Sequence, residues 1–183
     1  MLLTIVDRDG TLIELVPYLG RENTWKDQVK LNPPVIALLR YIQDTYPAKT
    51  FVITNQAGVA RKYFNYKRVE EINNYVEQRL NDFGIRIDGW NYCPDVDSNY
   101  VAVNSHIEFD KKFIKKQTNR KPSINMVSEI LKSENLNLSN FEKILVLGDT
   151  EDDKNLAENL KGSYIDVKEK DYKQLKEEFL SFF

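Results

Sequence analysis

The chain has 183 residues, 42% hydrophobic and 30% charged, which is enough to bury a core without disulfides or a structural metal. A net charge of −2 excludes the global positive field that draws a polyanion to a protein surface, although a local basic pocket for one phosphate remains compatible with it. Cys93 is the only cysteine, so no intramolecular disulfide can form, and no apolar stretch approaches the roughly 20 residues of a membrane helix.

The opening Met-Leu-Leu-Thr-Ile-Val-Asp is too short for a signal peptide and has no basic residues ahead of it, so the expectation is a cytoplasmic protein without a membrane partner. Residues 2–6 form the first β-branched, apolar run of strand length. Val35, Leu38, Leu39 and Ile42 then follow the i, i+3, i+4, i+7 spacing of a helix. Residues 50–54 read as a second strand. Val69, Ile72, Val76, Leu80 and Phe83 predict a longer helix stopped by Gly84. Residues 89–93 make a third strand. Residues 94–119 read as a long loop, with strand character around 100–103. Ile124, Val127, Ile130 and Leu131 predict another helix, residues 144–147 and 163–167 two more strands, and residues 170–183 a terminal helix whose Phe179, Phe182 and Phe183 close one edge of the core. Strand–helix alternation implies an α/β fold with a mostly parallel sheet flanked by helices, and the length fits one domain over 1–183.

Ligands of such sheets sit beyond the carboxyl ends of the strands. Polar residues bunch there. Asp7-Arg8-Asp9-Gly10-Thr11 follows the first run: Asp7 suits a carboxylate nucleophile attacking phosphorus, and Asp9, two positions on, suits a general acid and base. A polar turn or helix cap would use the same residues. Thr54-Asn55-Gln56 follows the second run and offers a hydroxyl and N–H groups to phosphoryl oxygens, although Thr-Asn is also common turn chemistry. Arg120-Lys121-Pro122 places two cations ahead of a helix, with the proline expected in its first turn. Lys121 suits neutralising a phosphoryl group and the Asp7 carboxylate, and Arg120 suits forking onto a second anion. Gly148-Asp149-Thr150-Glu151-Asp152-Asp153 bunches acids after the fourth strand, where they suit Mg²⁺ or a helix N-terminus. Asp149 is the expected metal ligand. Asp153, one turn on, is expected behind it, holding Lys121 or a metal-bound water.

These four elements, in this order, resemble the four motifs of the haloacid dehalogenase superfamily. The runs from Val6 to Leu12, Ile53 to Arg61, Asp88 to Pro94 and Arg120 to Pro122 are similar to those of the D-glycero-D-manno-heptose-1,7-bisphosphate phosphatases, and the histidinol-phosphate phosphatases share much of the pattern. The resemblance spans residues 2–160. It implies a Rossmann-like three-layer sandwich with a minimal cap, the loop over residues 13–25 helping to gate the site. It further implies Mg²⁺ held by Asp7 and Asp149 side chains and the Asp9 carbonyl, Thr54 and Lys121 stabilising the phosphoryl group, Asn55 and Gln56 lining the pocket, and Arg120 recognising a small phosphorylated substrate. Arg8 is typical of the branch, with no role derivable from sequence.

Three departures stand out. The heptose phosphatases usually hold zinc with three cysteines and one histidine, whereas only Cys93 and His106 stand beside that loop here, and a closed zinc site takes four N/S ligands; zinc is not expected. Thr150 stands where relatives often carry lysine. Ser123-Ile124-Asn125 replaces a Pro-Gly ahead of Met126. The expected activity is Mg²⁺-dependent hydrolysis of a sugar bisphosphate or similar metabolite, by a monomer. The alternatives are histidinol phosphate as substrate, a polynucleotide 3′-phosphatase using Lys111, Lys112, Lys115 and Lys116 near Phe109 and Phe113, or a catalytically silent binding module. That lysine run reads more simply as a solvated loop.

Overall fold

Alternation along the first strand sets the layers of the fold. In β1 (Leu2–Asp7), Leu2 and Val6 point to one side of the sheet and Leu3 and Ile5 to the other, and all four are buried. The first side is covered by α2 (Pro33–Thr45), α4 (Tyr66–Asp82) and α8 (Tyr172–Leu180), through residues such as Leu39, Ile72 and Phe179. The second is covered by α6 (Asn125–Ser133) and α7 (Glu151–Asn159), through Val127, Ile130 and Leu156. Burial on both faces is what makes these strands read as continuous apolar runs rather than alternating ones. The computed structural model describes residues 1–182. Within them Phe179 is fully buried and Phe182 packs against the same cluster, while Phe183 lies outside the described residues.

The main sheet runs β3-β2-β1-β6-β7, all parallel, where β2 is Ala48–Asn55, β3 Gly89–Cys93, β6 Lys143–Gly148 and β7 Ser163–Asp166. The strand order therefore reverses at β1, between its neighbours β2 and β6. The carboxyl ends of β1 and β6 carry Asp7 and Asp149, so the crevice expected of such a sheet falls between these two carboxylates. Gly84, at φ +68, follows α4, and the N–H of Ile85 returns to the Leu80 carbonyl, closing the helix where its apolar stripe stops.

Three sequence expectations need correction. Pro122 does not sit in the first turn of α6, which begins at Asn125; it precedes the helix in a cis peptide bond with Lys121. Residues 100–103 are helical, inside α5 (Ser98–Val103), because the Asp97 side chain accepts from the Tyr100 N–H and caps that turn. The 94–119 stretch is not simply a loop. It contains α5, a 3₁₀ turn at Lys111–Phe113 and a short parallel pair, β4 (Val96–Asp97) with β5 (Ile114–Lys115), around a satellite core of Val96 and Phe109 packed on Ala57 and Ala60. Two further short helices, α1 (Trp25–Gln28) and α3 (Ala57–Ala60), complete the connections after β1 and β2.

Candidate active site

As β1 ends, the chain turns back sharply: the N–H of Leu12 reaches the Asp7 carbonyl and that of Ile13 the Arg8 carbonyl. Gly10 takes φ +87 in this turn. The turn frees Asp7 to project between β1 and β6 rather than into a neighbouring strand.

Lys121 enters that crevice from the segment before α6. Its Nζ lies 2.5 Å from Asp7 Oδ1 and 2.6 Å from Asp153 Oδ1, and all three side chains are buried. Asp153 is fully committed, because its second oxygen accepts from Thr150 N–H at 3.1 Å and Thr150 Oγ1 at 2.5 Å. Gly148 allows this approach: a Cβ there would stand 2.3 Å from that of Asp153. Thr150 is thus a helix-start partner for Asp153.

Asp149 has a different surrounding. It is buried, and its Oδ1 has no hydrogen-bond partner. Asp7, Asp149 and Asp153 each bring an oxygen within 4.8 Å of the others, the one such metal-ligating cluster among the described residues. An orphaned buried carboxylate oxygen beside two more carboxylates fits a hard divalent cation that takes oxygen ligands. Asp153 is occupied by Lys121 and Thr150, so Asp7 and Asp149 are the side chains able to hold such an ion.

One ammonium among three carboxylates leaves net negative charge in a dry place. Burial pushes the Asp7 carboxyl up, to about 7, with Asp153 and Asp9 adding to the effect and Lys121 opposing it. Asp149 is raised as well, by burial and then by Asp153, against the pull of Lys168 and Lys121. Burial alone would lower Lys121, but Asp7 and Asp153 outweigh it and hold the ammonium well above its ordinary value. A cation and a phosphoryl group entering together would rebalance this charge.

Asp9 faces away from this cluster. Arg8 donates to both of its oxygens, Gln56 Nε2 donates to Oδ2 at 2.7 Å, and Thr54 Oγ1 lies 3.4 Å from the same atom. Gln56 also donates to Thr54 Oγ1 at 2.8 Å, so the end of β2 is a single polar brace for Asp9. Asn55 accepts from the Lys121 N–H at 2.9 Å and fixes the backbone that delivers Lys121 to Asp7.

Asp9, Asn55, Gln56 and Arg120 border one cavity of about 360 Å³, walled otherwise by Tyr18, Phe64 and Tyr100 and by the loop after β1. Its size suits a small metabolite. Arg120 lies over the Tyr100 ring, 5.0 Å from the centroid, with a buried Nη1 that has no partner. Another hollow, of about 390 Å³, lies at the opposite, amino-terminal edge of the sheet against Lys143 and Phe182, away from all of these carboxylates.

The structure therefore brings Asp7, Lys121, Asp149 and Asp153 into one cluster, and Asp9, Asn55, Gln56 and Arg120 around the adjoining cavity, with Thr54 buried against Asp9 and Gln56 rather than lining it. Sequence reasoning missed Tyr100, Arg61 and Asn73. Arg61 donates to Tyr100 Oη and Asn104 Oδ1 and stacks near Tyr18, Tyr100 and Phe109, tying the 94–119 segment to the core beside the cavity. The only sequence signal for it was its place at the end of the Ile53–Arg61 motif. Cys93 is buried in the core and His106 is exposed, so the two stand in unlike settings. Lys111, Lys112, Lys115 and Lys116 are exposed, while Phe109 turns inward to the satellite core.

Comparison with known proteins bears on the family and the fold. Residues 3–181 match the polynucleotide kinase 3 phosphatase family. A probable D-glycero-D-manno-heptose-1,7-bisphosphate 7-phosphatase of Thermoplasma acidophilum is 27% identical over 156 residues, covering 85% of this chain and 82% of that protein. Among solved structures, a putative HAD-like phosphatase from Mesorhizobium loti superposes with a TM-score of 0.75 at 20% identity, over 98% of this chain and 84% of that one. The D,D-heptose 1,7-bisphosphate phosphatase from B. bronchiseptica, crystallised with magnesium and phosphate, gives 0.63 at 22%, over 89% and 78%. At those identities the structural matches speak for the α/β fold. Among the described residues, no helix is long and apolar enough to cross a membrane.

Proposed function

Since this chain belongs to the polynucleotide kinase 3 phosphatase family and is a phosphoric monoester hydrolase of the haloacid dehalogenase type, we propose that it hydrolyses a small phosphorylated metabolite, a sugar bisphosphate, through an aspartyl-phosphate on Asp7. The observation that carries this reading is the buried Lys121–Asp7 contact at 2.5 Å, set beside a cavity that Asp9 and Arg120 both border.

An Asp7 oxygen attacks phosphorus as the ester P–O bond breaks, and Asp9 gives the leaving oxygen its proton. Water then attacks phosphorus, Asp9 takes the water's proton, and the Asp7–phosphoryl bond breaks to release inorganic phosphate. Lys121 offsets the repulsion between the phosphoryl oxygens and the Asp7 carboxylate, with Asp153 fixing its ammonium. Thr54 and Gln56 hold Asp9, and Asn55 holds the Lys121 backbone. Mg²⁺ would be held by Asp7 and Asp149, with the Asp9 carbonyl, and would supply charge neutralisation at the transferring phosphoryl group. No zinc is needed for any of these roles. The tyrosine walls suit the faces of a sugar ring, and Arg120 suits a second phosphate.

The family's description keeps a polynucleotide 3′-phosphatase as the second reading. The inward turn of Phe109 removes one of the two aromatics that a stacking surface near the lysine run would need. The deciding experiment is phosphate release with Mg²⁺ from heptose and hexose bisphosphates, sugar monophosphates, histidinol phosphate and a 3′-phosphorylated oligonucleotide. Preference for a bisphosphate is expected. Preference for the oligonucleotide would move the substrate to the second reading.

A further inference from the structure

Arg8 is the largest fully buried side chain described, and the proposed chemistry gives it no direct part. It lies between Asp7 and Asp9 in sequence but does not face the phosphoryl crevice, and it does not border the cavity. Its guanidinium instead meets α4. Nη1 donates to Asn73 Oδ1 at 2.7 Å, Nε to Asp9 Oδ1 at 3.1 Å and Nη2 to Asp9 Oδ2 at 2.8 Å. Asn73 is itself buried, a polar residue beside the apolar stripe of α4.

This arrangement is a poor way to gain stability. A buried ion pair recovers little over a well-packed apolar side chain, because both charges must be stripped of water. It is a good way to fix direction. A planar fork on both oxygens of one carboxylate sets the plane of that carboxylate as well as its position, and Asn73 sets the fork in turn. Asp9 side-chain exposure is 21% against 0% for Arg8, so the clamp sits behind Asp9 and presents it to the cavity. We propose that Arg8, anchored by Asn73, is a positioning residue that aims the Asp9 carboxylate for proton transfer to the leaving group. This rests on the acid/base role of Asp9 given above.

The test is dependence on the leaving group, since p-nitrophenolate departs without a proton whereas phenolate and sugar oxygens need one. The values of kcat/KM on p-nitrophenyl phosphate and phenyl phosphate, which report the steps through leaving-group departure and not the later hydrolysis of the aspartyl-phosphate, would be measured for wild type, Arg8→Met, Arg8→Lys, Asn73→Leu, the Arg8→Met/Asn73→Leu double variant and Asp9→Asn. General acid/base catalysis contributes roughly 10²–10⁴-fold, so Arg8→Met is expected to lose about 30-fold on phenyl phosphate and under about 3-fold on p-nitrophenyl phosphate. Arg8→Lys should recover part of the loss. Asn73→Leu should show the same selectivity to a smaller degree, and the double variant should be no worse than Arg8→Met. If Arg8→Met does not fold, Asn73→Leu carries the same comparison. Equal losses on both esters in folded Arg8 and Asn73 variants, with Asp9→Asn still selective, would overturn the positioning role alone. Equal losses for Asp9→Asn as well would overturn the acid/base reading beneath it.

Discussion

A Cβ on Gly10 would stand 2.4 Å from Oδ2 of Asp149. The turn that frees Asp7 from β1 and the carboxylate that follows β6 are therefore fitted to each other with no room for a methyl group, and φ +87 at Gly10 adds its own penalty for any other residue.

Gly10→Ala should displace Asp149 and strain the turn, destabilising the protein by about 1–3 kcal/mol and weakening Mg²⁺ binding. Thermal melts with and without Mg²⁺ check this. The loss of Mg²⁺-induced stabilisation should be larger than the loss of basal stability, and an unchanged Mg²⁺ response would contradict the fit between the two residues.

Lys121→Met should leave the Asp7 and Asp153 carboxylates buried without compensation. Removing one partner of a buried pair costs about 3–5 kcal/mol, so a clear drop in denaturant midpoint is expected at pH 8. Activity should fall with it, because Asp7 would repel the phosphoryl oxygens unaided.

Stability of the metal-free protein should decline as pH rises. Asp7 has a folded-state value of about 7 against 3.8 for an ordinary aspartate. A carboxyl raised on folding stabilises fully below its unfolded value, and that contribution is lost as pH rises through the folded one, here between about 4 and 7. Melting temperature without metal should fall from pH 5 to pH 8, and Asp7→Asn should flatten the profile. Mg²⁺ should restore more stability at pH 8 than at pH 5, since it competes with the proton for Asp7.

Arg120→Ala should act on substrate choice. Loss of a charge-assisted hydrogen bond, worth about 1.5–3 kcal/mol, predicts roughly a 10- to 150-fold rise in KM for a bisphosphate. A monophosphate should be nearly unaffected. Equal effects on both would deny Arg120 its contact with a second phosphate.

Arg61→Met should loosen the 94–119 segment while leaving the five-stranded sheet intact, because Arg61 joins Tyr100, Asn104 and Phe109 to the core. Hydrogen exchange should quicken in α5 and stay slow in β1 and β2.

β1, β2 and β6 were legible because burial on both faces leaves continuous apolar runs, and the polar residues at their ends were legible because a parallel sheet collects its chemistry there. Asp7 and Asp149 needed no more than that, whereas Lys121 was read from its place ahead of a helix. Residues 94–119 were not legible because their short elements depend on a satellite core shared with Ala57 and Ala60, far away in sequence. Pro122 was misplaced because proline also favours the first turn of a helix, and nothing local showed that α6 would wait until Asn125. The role of Arg8 was hidden for the same reason as that of Asn73: the two are 65 residues apart, and α4 reads from its spacing as an apolar stripe.

The most direct measurement is chemical trapping at Asp7. Enzyme in excess over a sugar bisphosphate, with Mg²⁺, would be quenched in acid and reduced with borohydride, which converts an aspartyl-phosphate to homoserine, and the peptides would be mapped by mass. Homoserine at position 7, absent at Asp9 and Asp149, is the predicted result. Phosphate release in the same reaction with Asp7 unmodified would contradict it and remove Asp7 as the nucleophile.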